Sequence, residues 1–371
     1  MAIWDKNSSN IEQQQIPYIR KKSNKRVFIS ASFTTLVTLS GGIYGCAEQK
    51  ISEPQAIEES IKTPQLVADP TWEHVEIKPL SGHAEGIWSV AINREQNLFA
   101  TASEDKTIKL WNLETGELIN TLKGHDRAVL SVSFSPDGKQ LASSSKDGII
   151  KVWNVQTQTL IRTVDANPEN SKAVRSVVYS PDGMKIVNSS WDNTIKIWNA
   201  KTGELIHTLT GHTKGVFAVA VSPDSQTIAS VSQDKTIKIW NLETGELIKT
   251  IEGHTDNVRT VAFSPDNTIL ATGSVDKTIK LWNTKTYELI NTLSGHSKYI
   301  NSVAFSANGK TLVSAAEDKT IALWNVADGK RIRTLDGSLA GVNSVAFADP
   351  RTIVSGSAAG DDKARVWSDR D

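Results

Sequence analysis

The chain has 371 residues, with 41 Lys+Arg against 41 Asp+Glu, one Cys, seven His and eleven Trp. Zero net charge excludes a non-specific nucleic-acid binder, which needs a basic surface to displace counterions from phosphates, and a single Cys excludes an internal disulfide framework, a Cys-based zinc cluster and an iron–sulfur site. The length suits two or three domains or one large repeat array, and Trp outnumbers both Tyr (five) and Phe (eight).

Residues 1–26 are polar and basic, six Lys or Arg against two acids, and end in RKKSNKR. Residues 27–45, VFISASFTTLVTLSGGIYG, hold no charge over 19 positions, and Cys46 follows. Such a run is about long enough to cross a bilayer, with the basic cluster left on the cytoplasmic side. Ile43, Tyr44, Gly45 and Cys46 resemble the lipobox of bacterial lipoprotein signals. That resemblance implies a lipidated Cys46 as the mature N-terminus, anchored on the extracytoplasmic side of a bacterial membrane. An uncleaved signal-anchor helix and an incidentally apolar leader on a cytosolic protein are the alternative readings. Residues 47–71, with five acids, two Lys and three Pro, read as a flexible linker. We therefore divide the chain into a leader with its anchor (1–46), the linker (47–71) and a folded domain (72–371). That domain carries 33 basic and 34 acidic groups, so nucleic acid is not an expected ligand and membrane contact is expected through the anchor only.

From there on one phrase recurs: TIKLWN, IIKVWN, TIKIWN, TIKIWN, TIKLWN, TIALWN and ARVWSD, ending at Trp111, Trp153, Trp198, Trp240, Trp282, Trp324 and Trp367. The steps between these Trp are 42, 45, 42, 42, 42 and 43 residues, a period that marks a repeat architecture. Each unit holds a run such as VLSVSFS, a turn such as SPDG, a run such as LASSS, the Trp phrase, an LETGE-type turn and a last run such as LINTLKGH. Four short apolar runs separated by Gly, Pro, Asn and Asp predict four antiparallel strands. The seventh unit has room for only three, and the run WEHVEIKPLSGH upstream of the first unit matches the fourth-strand phrase. Residues about 72–80 are therefore expected to complete the last sheet, since an open ring would leave two unpaired edges.

Gly-His near the start of each unit, Asp six residues before Trp, and Trp-Asn where the family has Trp-Asp resemble the WD-repeat family over roughly four-fifths of the chain. The resemblance implies an all-β fold: a seven-bladed β-propeller of four-stranded antiparallel blades, monomeric and non-catalytic, that binds protein or peptide partners. Five units carry a complete polar set with a constant His-to-Trp gap of 28 residues: His83, Thr101, Asp105, Trp111; His125, Ser143, Asp147, Trp153; His212, Ser230, Asp234, Trp240; His254, Thr272, Asp276, Trp282; and His296, Ser314, Asp318, Trp324. Ser, His and Asp suggest a hydrolase triad. A buried indole N–H, however, needs an acceptor, and a hydroxyl, an imidazole and a carboxylate can pass hydrogen bonds along until each is satisfied. In the family these residues form a structural tetrad, and five copies of one catalytic site make no chemical sense. The third unit lacks Gly-His, carries extra residues in DANPENSKAV and has Asn188 at the hydroxyl position; the seventh has Ser338 for His and the longer turn SAAGDD.

Outside these sets only His74 and His207 remain, far apart in sequence, so no His- or Cys-based metal site and no cofactor is expected, while an all-oxygen calcium site stays open. No phosphate loop, nucleophile elbow or dinucleotide fingerprint occurs. In the family, the face bearing the Gly-His and Asp turns commonly holds peptides. The residue five after the His position lies near the channel mouth there: Trp88, Leu130, Arg175, Phe217, Arg259, Asn301 and Asn343. The residue before the tetrad Asp borders the same face and is Trp191 in the third unit, against Glu104, Lys146, Gln233, Val275, Glu317 and Gly360 elsewhere. These positions vary while the rest of the unit repeats. Trp88, Leu130, Trp191 and Phe217 flanked by Arg175 and Arg259 would suit an apolar, acidic peptide. The competing readings are a cytosolic regulatory scaffold and an extracytoplasmic hydrolase or lyase, which needs convergent acids or His at the channel mouth.

Overall fold

Among the residues described by the computed structural model, 71–169 and 172–369, every regular element is a β-strand. The basic leader, the apolar segment with Cys46 and nearly all of the linker lie outside the described residues. The 28 strands form seven four-stranded antiparallel sheets. Blade 1 shows the plan: Ile87–Asn93, Leu98–Ser103, Ile108–Asn112 and Leu118–Leu122, ordered from the channel outward. Blades 2 to 6 repeat it over 129–165, 174–209, 216–251, 258–294 and 300–335. The innermost strands pack side by side round the channel, and the first, Ile87–Asn93, meets the last, Val342–Asp349.

Burial explains the strand compositions. Each second strand is covered on both faces by neighbouring blades, and so LFATAS, QLASSS and TIVSGS are short, small-residue runs. At Gly356 a Cβ would stand 2.5 Å from Ile87 Cγ2 of blade 1, so only the smallest residue lets the two blades touch. Fourth strands are exposed on the rim, as at Leu118 and Ile119. Seven apolar clusters are each wedged between consecutive blades, and each holds the Trp of the later blade. Gly253 shows why Gly precedes the tetrad His: its φ is +149°, and a Cβ would meet the Trp282 ring at 2.8 Å.

The ring closes as the sequence predicts. Val75–Leu80 pairs antiparallel with Ala364–Asp369, from Val75 opposite Asp369 to Leu80 opposite Ala364. Trp72, 1 % exposed, fills the core between blades 6 and 7, and its backbone N–H donates to Asp369 Oδ2 at 3.2 Å.

Candidate functional site

The five complete polar sets come together in the same way in blades 1, 2, 4, 5 and 6. The indole Nε1–H donates to the Ser or Thr hydroxyl at 2.8 to 2.9 Å. The hydroxyl lies 2.7 to 2.8 Å from His Nε2, and His Nδ1 lies 2.7 to 3.2 Å from the carboxylate. A carboxylate can only accept, so Nδ1 carries the proton; Nε2 of a neutral ring then accepts, and the hydroxyl donates to it. All five hydroxyls are completely buried, so no substrate can reach them. The arrangement ties the second and third strands of a blade to the loop ahead of its first strand and is not a nucleophile.

Electrostatics follow from this wiring. Burial pushes the tetrad carboxyls up, but hydrogen bonds from the His, the following Thr and backbone N–H groups outweigh it and hold Asp105, Asp234 and Asp276 well below the usual range. Asp147 and Asp318 are lowered in the same sense. Burial lowers His296 against the pull of Asp318. A lowered carboxyl binds its proton less readily folded than unfolded. Its contribution to stability is thus complete above the unfolded pKa of about 4 and is lost as pH falls toward the folded value. A lowered His loses its contribution below an unfolded pKa of about 6.5. Urea midpoints are expected to be level at neutral pH, to begin falling below about pH 6.5 and to fall steeply below about pH 4. A midpoint that rose on acidification would contradict this wiring.

Blades 3 and 7 lack the His, and a cation takes its place. In blades 1, 2, 4 and 5 the Lys two residues before Trp reaches a Thr on the fourth strand, as Lys109 does to Thr121 at 2.8 Å and Lys238 to Thr250 at 2.8 Å. In blade 3, Lys196 turns inward and donates to Asp192 and Asn167 at 2.9 Å each and to Thr194 at 3.1 Å, while Trp198 donates to Asn188 Oδ1 at 2.7 Å. In blade 7, Arg365 bonds Asp361 through both terminal nitrogens at 2.7 and 2.8 Å and donates to Ser357 at 2.9 Å. Ser338 donates to Asp361 at 2.9 Å and Trp367 to Ser355 at 2.8 Å. Burial raises the Asp361 carboxyl, but the bonds from Arg365, the Leu339 N–H and Ser338 bring it down to about 2.

The variable positions occupy one ring. In every blade the second residue of the innermost strand is the extra residue of a β-bulge; pairing runs from Ile87–Ser103 to Ser89–Ala102, for example, and skips Trp88. A bulge re-aims its side chain out of the alternating pattern, and here it places Trp88, Leu130, Arg175, Phe217, Arg259, Asn301 and Asn343 round the channel mouth. Trp88 is half-buried; its Nε1–H donates to Glu104 at 2.6 Å, Lys146 bonds Glu104 at 2.7 Å, and Lys146 and Arg175 stand over the indole at 5.6 and 4.9 Å. The Arg259 guanidinium lies 5.1 Å from the Phe217 ring and 4.7 Å from that of Tyr299. Asn301 Nδ2 donates to Val342 O at 3.0 Å, and Asn343 Nδ2 to Ile87 O at 2.9 Å, linking successive blades.

Of the four apolar residues expected to meet a peptide, two are not at the surface. Leu130 is 4 % exposed, packed with Ala128 and Ala173 under Trp88, and Phe217 is 9 % exposed beneath Arg259. The exposed aromatic is Trp191, at 45 %, beside Gly215. Gln233 and Val275 are half-buried at this face, and the Gly360 N–H donates to Asp362 Oδ1 at 3.2 Å. Tyr299 went unnoticed in the sequence because it lies two residues ahead of the bulged position. Among the described residues no cluster of three or more His, Cys, Asp or Glu could hold a metal.

Comparison with known proteins agrees with this architecture. The family described as the second β-propeller of echinoderm microtubule-associated protein matches residues 87–255, the first four blades. The family described as WD domain, G-beta repeat matches 245–283, 287–325 and 329–368. A probable cytosolic Fe-S cluster assembly factor of Schizosaccharomyces japonicus is 42% identical over 72 residues, 19% of this chain and 10% of that protein. Eukaryotic translation initiation factor 3 subunit I of Debaryomyces hansenii is 48% identical over 42 residues, 11% of this chain and 12% of that protein. The similarity thus spans only about a tenth of either relative and reflects one or two repeat units. Propellers of this kind generally serve as non-catalytic scaffolds that bind protein partners. This chain is a closed seven-bladed β-propeller that carries WD repeats.

Proposed function

We propose that the protein is a non-catalytic platform that holds a protein partner at the channel mouth and is tethered to a bacterial membrane through Cys46. One observation carries the platform reading: the seven bulged positions hold five residue types in a fold that otherwise repeats, and they gather Trp, Phe and two Arg on one rim. The Ser, His and Asp groups that could have done chemistry are spent in buried hydrogen bonds. The tether rests on the N-terminal sequence alone. An untethered cytosolic scaffold is the second reading, favoured by the word cytosolic in the name of one relative.

A photo-crosslinking amino acid placed at Trp191 is expected to capture a partner, and the same group at Ile119 on the outer rim is not. Equal capture at both places, or at neither, would remove the channel mouth as the site. Fractionating cells that express the wild type and Cys46→Ala decides the tether. Membrane-bound wild type beginning at a lipidated Cys46, with processing lost in the variant, supports it; soluble, unprocessed protein in both makes the cytosolic scaffold the reading.

A further inference from the structure

Arg175 and Arg259 have their flat faces occupied and their edges empty. Aromatic rings cover the faces, Trp88 for Arg175 and Phe217 with Tyr299 for Arg259. Among the described residues, neither guanidinium donates a side-chain hydrogen bond or pairs with a carboxylate. The nearby acids are engaged elsewhere: Glu104 accepts from Trp88 and Lys146, and Glu317 from the Tyr299 hydroxyl. Burial, and then the charge of Arg259, bring Arg175 down to about 10, with Glu104 only partly offsetting them. A guanidinium offers five N–H donors, and one partly withdrawn from water ordinarily finds an acceptor. Elsewhere on the ring, Asn301 Oδ1 is a buried acceptor without a partner.

We propose that the channel mouth is a carboxylate site, in which the edges of Arg175 and Arg259 bind the side chain of an Asp or Glu in a protein segment lying across the mouth. This rests on the platform reading above and adds the chemistry of the ligand. The stacking rings fix each fork in plane, which suits a planar carboxylate held by paired N–H bonds. Together with Lys146, Glu104 and Glu317, the two Arg give the mouth a single net positive charge. A carboxylate balances that charge, and a phosphate near its dianionic form overshoots it.

The test uses the full chain and a short acetylated, rhodamine-labelled peptide with one Glu among Ala and Leu, read by anisotropy. Saturable binding is expected, weakened about 10-fold or more when Glu becomes Gln. The same loss is expected in R175Q/R259Q, with part of the binding restored in R175K/R259K, which keeps the charge without the fork. Circular dichroism melts of both variants confirm that the fold survives. Equal binding of the Glu and Gln peptides, or none up to about millimolar peptide, overturns the carboxylate site. A phosphoserine peptide that binds about 10-fold tighter than the Glu peptide overturns it in favour of phosphate. Partner capture at Trp191 that persists undiminished in R175Q/R259Q leaves the platform standing and removes this site. Glu-peptide binding without any capture at Trp191 does the reverse.

Discussion

Replacing Trp240 by Ala is expected to destabilise the protein by about 3–5 kcal/mol. The indole is 2 % exposed and lies between Val187, Ile195, Ile197 and Leu209 of blade 3 and Val216, Val219 and Ile228 of its own blade. Truncation removes the apolar surface that joins two sheets and leaves a cavity that strands cannot close without losing register. The hydrogen bond is the smaller part of the loss, because Ser230 keeps His212 as a partner. Trp191→Ala is the matched control: this ring is 45 % exposed, and its loss should cost no more than about 0.5 kcal/mol. Urea unfolding of the two variants decides. Similar midpoints would mean that the inter-blade Trp does not wedge the blades together.

Asp361→Ala is expected to cost about as much, roughly 3–5 kcal/mol, by a different route. Its carboxylate is completely buried and receives both terminal nitrogens of Arg365, whose side chain is 5 % exposed. Removing the acid leaves a buried cation with only Ser357 to receive its protons. Asp361→Leu combined with Arg365→Met should instead lie within about 1 kcal/mol of the wild type, because an apolar pair of similar volume carries no desolvation cost. The double-mutant cycle completed by Asp361→Leu and Arg365→Met singly, measured by urea unfolding, isolates the pair. A double variant as unstable as the single one would mean that Arg365 holds blade 7 by packing and not by charge.

What could be read without coordinates follows the repetition. The constant gap from His to Trp identified the five hydrogen-bonded sets because one geometry was repeated with one spacing. The match of the WEHVEIKPL run to fourth-strand phrases located the closing strand for the same reason. Features that break the repeat could not be read. Lys stands two before Trp in blades 1 to 5, and its inward turn in blade 3 appears only once the missing His has left Asp192 in need of a donor. The bulge is a matter of register between strands, which no single run of residues records. Leu130 stands at a position that varies from unit to unit, yet it is buried, because the large Trp88 of the preceding blade packs over it.

The ring closure also sets the order in which the molecule can be finished. Six blades are runs of neighbouring hairpins, each able to form soon after its residues leave the ribosome. The seventh joins partners as far apart in sequence as Trp72 and Asp369, 297 positions. The strand that emerges first is thus the last to find its neighbour, and until Ala364–Asp369 arrives it presents bare backbone. A chain that stops short of Ala364 can complete six blades and still keep two open edges, which makes it recognisable as unfinished and prone to pair with its own kind.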